Sequence, residues 1–495
     1  MGEHSTLSAA AHLAIDLGAE SGRVFLGRRA GGVMSIDEIH RFANRPLHAG
    51  DSLRWDVASL WSEVRTALSS SALPPIASLG VDAWGVDYGL IDEAGELLEN
   101  PYHHRDARNL SAMPAALELL SRDEIYRATG VQFMPINTLY QLCAAQRDTP
   151  DLLARAQRLL MIPDLFHYWL SGNAVCEFTI ASTTQFANPR TRQWSPELLT
   201  KLGIPDRLLA PIVEPGSILG DLLPGLKIGG GAACVVAPAS HDTASAVAAI
   251  SASGDTAFLS SGTWSLLGIE LDAPVIAPES MRLNFTNEGG IAGTTRLLKN
   301  VMGLWMLQCC RNAWIAQGRD FSYAEIADAA AGVPAFAHLV DPDDSSFLMP
   351  GDMPAAIDRF CRRTNQPSPE SPGAYTRAIL ESLALKYRVV MGHLESLIAR
   401  PIHRIRIVGG GSKNRLLSQF TASATGKTVL AGPAEASVLG NLVVQMLATG
   451  GVATLRDARA IVDRSFPTEI FEPVDSDSWN APARRFDQYC ELNHG

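Results

Sequence analysis

The chain has 495 residues, 46% of them apolar and 19% charged, which excludes a peptide, a lone binding module and a disordered chain and leaves room for two or three large domains. Its net charge is −11 and no long basic run offsets it, so nucleic acid and anionic membranes are not expected as partners. A small anionic ligand such as a nucleotide stays open, because backbone N–H groups and a bound cation hold phosphate locally.

Seven scattered cysteines (Cys143, Cys176, Cys234, Cys309, Cys310, Cys361, Cys490) form no C-x-x-C pair and no zinc spacing, which points to a reducing, cytoplasmic location. Glu3 stands where an export signal carries basic residues, and Asp16 interrupts the apolar stretch that follows. No 18 apolar residues run unbroken, so no transmembrane helix is expected. Met1-Gly2 with Thr6 fits the short myristoylation pattern, a pattern too loose to carry weight.

Residues 13–17 read as a strand, Gly18-Ala19-Glu20-Ser21-Gly22 as a tight turn and 23–26 as the returning strand. Asp56 then caps a helix with Leu60, Trp61, Val64 and Leu68 at helical spacing, and residues 78–81 form the next strand. Such alternation argues for an α/β fold. Cys234-Val235-Val236 reads as a buried strand, after which Ser240-His241-Asp242-Thr243 turns into an Ala-rich helix. Residues 249–255 look like a hinge, dividing the chain into 1–248 and 249–495.

The second half repeats the opening: an apolar strand at 256–259, a small hydroxyl and glycine turn at 260–263, and a returning strand at 264–267. Residues 375–400 form a long amphipathic helix stopped by Pro401. The strand 404–408 runs into Gly409-Gly410-Gly411-Ser412-Lys413-Asn414, and a helix bearing Leu416, Leu417 and Phe420 follows.

Two phosphate-loop look-alikes fail. Thr425-Gly426-Lys427-Thr428 ends like a P-loop, but Thr421 occupies the position of its first glycine; the triple glycine places Asn414 where a dinucleotide fingerprint needs glycine. The first hairpin is a better candidate: Gly18, Ser21 and Gly22 expose backbone N–H groups, and Asp16 beside them suits Mg²⁺, which takes few protein ligands and keeps its waters. An ordinary turn satisfied by its own Asp is the competing reading. Asp242, at the carboxyl end of a strand, is a candidate general base for phosphoryl transfer, against the alternative that it merely caps a helix. Asp82 and Asp87 suit a ligand's hydroxyl groups or turn capping equally.

Read as letters, Ile15-Asp16-Leu17-Gly18-Ala19-Glu20-Ser21-Gly22-Arg23, Gly80-Val81-Asp82-Ala83-Trp84-Gly85-Val86-Asp87-Tyr88, Ser240-His241-Asp242-Thr243 and Ser260-Ser261-Gly262-Thr263-Trp264 resemble the FGGY carbohydrate kinases in order and spacing. Thr286-Asn287-Glu288-Gly289-Gly290, Lys299-Asn300, the GGGS turn and the stretch from Ala431 to Ser437 extend the similarity across roughly residues 12–450.

The resemblance implies two ribonuclease H-like (actin-like ATPase) domains around a central cleft. It implies a sugar and ATP as substrates, Mg²⁺ as cofactor, and a monomer or homodimer. The reaction implied is phosphorylation of a ketose, L-rhamnulose first, with L-fuculose, xylulose or ribulose as alternatives. An inactive sensor on the same fold is the rival of a different class. Carried over by motif, Asp242 is the base and Asp16 the metal-side acid. Gly85, His241, Thr243 and Asn300 touch the sugar. Ala19, Glu20, Ser21, Gly22, Arg23, Thr263, Gln308 and Gly410 touch the nucleotide. Asn300 and Gln308, eight residues apart, are expected on one helix, about 80° apart around its axis. Glu20 departs from the Ser or Thr common in such loops, an acid beside phosphates being repelled unless it turns outward.

Overall fold

Two sheets with matching strand order organise the chain. The computed structural model describes residues 10–226, 228–229, 233–252, 254–348 and 351–491; Met1, Gly2, Thr6 and, within the hinge, Ser253 lie outside the described residues. The chain forms two compact units that interleave in sequence: Met1–Ser251, Glu270–Leu297 and Ala436–Phe466 make the first, and Ala252–Ile269, Leu298–Glu435 and Pro467–Gly495 the second.

The first sheet contains β1 (Ala11–Leu17), β2 (Ser21–Ala30), β3 (Val33–Ala43), β4 (Ile76–Ala83), β5 (Ser217–Asp221) and β6 (Cys234–Ala237), in the order β5-β6-β4-β1-β2-β3. β1 is antiparallel to β2 and parallel to β4, β4 is parallel to β6, and β6 is antiparallel to β5. Every residue of β1 is buried, as a central strand covered on both faces requires, and its sequence is correspondingly apolar except at His12 and Asp16. The helices Ile162–Ser171 and Ala436–Ala448 pack on this sheet. Asp242–Ala248 crosses Ala436–Ala448 so closely that a Cβ at Gly440 would lie 1.6 Å from the Ser245 carbonyl oxygen. Only glycine allows that approach.

The second sheet contains β7 (Thr256–Ser261), β8 (Trp264–Leu271), β9 (Thr286–Gly289), β10 (Thr295–Met302), β11 (Arg404–Val408), β12 (Thr428–Ala431) and β13 (Glu469–Phe471), in the order β9-β10-β8-β7-β11-β12-β13. β8 and β10 pass from one unit to the other, after Ile269 and Leu297 respectively. β7 is antiparallel to β8 and parallel to β11, β11 is parallel to β12, and β12 is antiparallel to β13. The series β10-β8-β7-β11-β12-β13 thus matches β3-β2-β1-β4-β6-β5 in spatial order and, from β8 onward, in strand direction, although β5 precedes β6 in the chain and β13 follows β12; this is the pseudo-repeat that the two opening hairpins signalled. The long helix Pro372–Ile398 ends where Ala399 turns left-handed (φ 52°), two residues before Pro401.

Three details differ from the sequence reading. Strand β2 begins at Ser21, so the turn shrinks to Gly18-Ala19-Glu20, closed by Gly18 N–H on the Ser21 carbonyl (3.0 Å). Asn300 belongs to strand β10 and Gln308 to the helix Trp305–Ala316, so no single helix carries both. Asp242 is the first residue of its helix; His241 occupies the cap position and makes no side-chain capping bond. All seven cysteines are free thiols, and no helix among the described residues is long and apolar enough to cross a membrane.

Candidate active site

In the first unit three carboxylates collect at the carboxyl ends of parallel strands, where open α/β sheets place their chemistry. Asp16 is the penultimate residue of β1 and the register partner of Asp82 on β4; Ala83, the next residue, bridges His241, which precedes Asp242. The spacing of parallel strands therefore brings residues 16, 82 and 242 together from three distant parts of the sequence.

Each acid is held differently. Asp16 Oδ2 accepts from the Arg23 guanidinium and from Ser437 Oγ (3.0 Å). Asp82 is fully buried; Oδ2 accepts from Asn441 Nδ2 (2.6 Å), while Oδ1 has no hydrogen-bond partner. Burial raises the Asp82 carboxyl well above its ordinary range, and the neighbouring Asp16 adds to the rise. Asp242 is partly open to solvent, and its Oδ1 accepts from Thr243 N–H (2.5 Å) and Thr243 Oγ1 (3.1 Å). Burial raises its pKa too, His241 pulls it down and Asp16 pushes it up, so this carboxylate is a stronger base than a free Asp.

Behind Asp242 stands a buried charged group. His241 Nε2 lies 3.4 Å from Asp242 Oδ1, and His241 Nδ1 lies 3.3 Å from Glu288 Oε2 and 3.2 Å from Arg296 Nη2. Arg296 pairs with Glu288 (3.1 Å) and donates to the Gly289 carbonyl through Nε (2.8 Å). Burial opposes ionisation of Glu288, yet Arg296 and His241 hold its pKa below the ordinary value. Ser240 N–H donates to Glu177 Oε2 (3.0 Å) and His241 N–H to Thr179 Oγ1 (3.1 Å), so the backbone entering Asp242 is pinned on both sides.

The hairpin residues divide by exposure. Ala19 is half-buried and Glu20 exposed, while the Arg23 guanidinium pairs with Asp16. Ser21 and Gly22 are strand residues paired with Ala43 and Phe42. Gly85 follows β4 and lies against Thr183; Thr243 is buried in the first turn of its helix.

The second unit carries the other residues. Thr263 forms the β7–β8 turn, and its carbonyl accepts from Gly303 N–H (3.1 Å) and Trp305 N–H (3.2 Å). Gln308 Oε1, one turn into the helix Trp305–Ala316, is buried without a partner among the described residues, an orphan acceptor of the kind a ligand satisfies. In the GGGS turn, a Cβ at Gly409 or Gly411 would strike Ser261 at 2.9 and 2.1 Å, whereas Gly410 faces open space. Two glycines serve packing and the middle one leaves room for a ligand. Lys413 pairs loosely with Glu435 (3.6 Å).

Sequence reasoning missed Ser437, Asn441 and Gln445, which lie at i, i+4 and i+8 on one face of Ala436–Ala448 and bond to Asp16, Asp82 and Ser78. The signal was three polar residues at helical spacing in an otherwise apolar segment. Glu288 and Arg296 were also missed, because nothing local marks a buried ion pair.

The models of the N-terminal and C-terminal domains of the FGGY family of carbohydrate kinases match residues 11–249 and 257–449. The chain belongs to this family. It is 44% identical to a rhamnulokinase of Bacteroides thetaiotaomicron over 94% of this chain and 97% of that protein. It is also 44% identical to a rhamnulokinase of Enterococcus faecalis over 94% and 95%. Among solved structures, a ligand-bound xylulose kinase from Lactobacillus acidophilus (TM-score 0.79, 17% identity, 98% of each chain) and a Plasmodium falciparum glycerol kinase with ADP (TM-score 0.76, 16% identity, 98% of each chain) share the fold. The expected actin-like ATPase fold is therefore the fold observed.

Proposed function

We propose that this kinase transfers the γ-phosphoryl group of ATP to O1 of L-rhamnulose, with Asp242 as general base. The 44% identity to rhamnulokinases along nearly the whole chain supports the sugar, and the carboxyl-end position of Asp242 supports the base. Asp242 accepts the O1 proton, O1 attacks the γ-phosphorus, and the bond to ADP breaks; the raised proton affinity of the carboxylate suits that task. Gly85, His241, Thr243 and Asn300 contact the ketose, while residues 19–23, Thr263, Gln308 and Gly410 contact the nucleotide. In this division of labour the first half, 1–248, supplies the base, most sugar contacts and the first phosphate loop, and the second, 249–495, the nucleotide contacts at Thr263, Gln308 and Gly410.

Asp16 fits Mg²⁺. One carboxylate near a strand's carboxyl end, completed by water and phosphate oxygens, is the donor set this ion takes. Bound there, the ion would neutralise phosphate charge. A panel of ketoses with ATP and Mg²⁺, read by ADP release and by the position of the product phosphate, tests the proposal. Turnover with L-rhamnulose above its competitors supports it; silence across the panel points to a sensor.

A further inference from the structure

The loop that follows β4 is held in a conformation its sequence disfavours. Val86 is left-handed (φ 68°), an arrangement that a β-branched residue adopts at a cost and only where its surroundings impose it. Those surroundings are explicit. Val86 N–H donates to Thr183 Oγ1 (3.1 Å), and the Val86 carbonyl accepts from Thr138 Oγ1 (2.6 Å) and Gln141 Nε2 (3.2 Å). Asp87, the next residue, is fully buried. Its Oδ2 takes Trp55 Nε1 (2.7 Å), Trp84 Nε1 (2.9 Å) and His104 Nδ1 (2.8 Å), its Oδ1 takes Gln141 Nε2 (2.9 Å), and Asp87 N–H closes the loop on the Gly85 carbonyl (2.9 Å).

Between the buried Trp84 and Asp87, only Gly85 and Val86 are partly accessible. The Gly85 N–H has no acceptor among the described residues, while the Val86 and Asp87 N–H groups on its C-terminal side are both bonded. This free donor lies two residues beyond Ala83, which bridges His241 beside the candidate base. Strain that is fully braced and sits next to the chemistry marks a functional element.

We infer that Val86 and Asp87 are positioning residues for ketose selectivity, the left-handed Val86 aiming the Gly85 N–H at a sugar hydroxyl and Asp87 locking that aim. The inference rests on the proposed function, since it takes the ketose to bind beside Asp242. Selectivity here comes from a fixed backbone donor, which rejects an epimer whose hydroxyl points elsewhere by leaving the donor unpaired.

The test compares Val86→Gly, Val86→Asn and the parent enzyme. Glycine relieves the strain and frees the loop; asparagine tolerates the left-handed conformation and keeps it. Val86→Gly is expected to melt no lower than the parent, to raise the KM for L-rhamnulose by about tenfold, the worth of one misaligned hydrogen bond, with little change in kcat, and to narrow the preference over L-fuculose. Val86→Asn is expected to retain the preference. Asp87→Asn adds a third arm, expected to reproduce the loss of preference if it folds.

A Val86→Gly enzyme with unchanged KM and unchanged preference overturns the inference. So does one that melts clearly lower, which would show that no strain was stored. Ketose binding by the parent, measured by calorimetry, separates the two readings. If the parent binds no ketose the proposed function falls and takes this inference with it, whereas binding with an indifferent loop removes only the inference.

Discussion

Asp16 and Asp82 are register partners on adjacent parallel strands, and one helix, Ala436–Ala448, donates a hydrogen bond to each: Ser437 to Asp16 (3.0 Å) and Asn441 to Asp82 (2.6 Å). The same helix face continues through Gln445, which donates to Asn441 Oδ1 (2.6 Å) and the Leu13 carbonyl (2.8 Å) and accepts from Ser78 Oγ (2.7 Å). Two acids crowded together at strand ends are thus neutralised by dipoles placed at helical spacing from 350 or more residues away in the sequence.

Removing the central member of that ladder should be expensive. Asn441→Leu strips the buried Asp82 of its donor and leaves Gln445 half-satisfied, so a loss of about 2–3 kcal/mol in urea unfolding is expected, against about 1 kcal/mol for Ser437→Ala, whose acid keeps Arg23. Equal losses in the two variants would show that the ladder does not discriminate between its rungs.

Asp242→Asn should lower kcat by about 10²- to 10⁴-fold, because the amide cannot accept the O1 proton, while ATP affinity measured by calorimetry stays near that of the parent. The expected split between turnover and binding distinguishes a base from a residue that merely shapes the site. Near-normal turnover would remove Asp242 from the role.

The pH dependence follows with a definite sign. A base works ionised, so activity falls as pH drops through the Asp242 pKa, which burial places above that of a free Asp. His241 pulls that pKa down, so His241→Asn should move the acid limb of kcat/KM to higher pH. Movement in the opposite direction would mean that another group sets the limb.

Much of this was legible in the letters, and the reason is local. The strand-turn-strand openings of both halves, the capped helix after Asp56 and the strand 404–408 with its glycine turn are written in contiguous residues, and the structure forms each of them, with both hairpin turns shorter than read. What the letters could not show is contact across sequence. The pairing of Arg23 with Asp16 is one such contact, made because strand register puts them opposite each other. Asn300 and Gln308 look continuous with one helix, yet Gly303 packs so tightly on the 262–264 turn, with a Cβ only 2.7 Å from the Trp264 carbonyl carbon, that strand and helix separate there.

His12 gives a stability prediction independent of catalysis. It is buried in β1, bonded to Ser78 Oγ (2.7 Å), and burial lowers its pKa to about 4. Between pH 6.5 and 4 the unfolded chain binds the proton and the folded chain does not, so stability is full above about 6.5 and is lost as pH falls toward 4. The contribution is about 3 kcal/mol. His12→Gln should therefore flatten this part of the pH profile of urea unfolding. An unchanged slope would assign the acid limb to other groups.

The GGGS turn sets tight packing beside open space within two adjacent residues. At Gly411 a Cβ would fall 2.1 Å from Ser261 Oγ, and at Gly410 it would meet nothing within 4 Å. Gly411→Ala should therefore lower the melting temperature, since Ser261 must rotate or β7 must shift to admit the methyl group. Gly410→Ala should leave melting of the ligand-free protein within about 0.5 kcal/mol of the parent, the range of a surface change, yet raise the KM for ATP because the methyl occupies space proposed for the nucleotide. The two variants should part company in opposite assays: thermal unfolding without ligand detects the first, and nucleotide affinity detects the second. If Gly410→Ala binds ATP as the parent does, the open space above that residue is solvent only, and the nucleotide contact must be sought at Thr263 or Gln308.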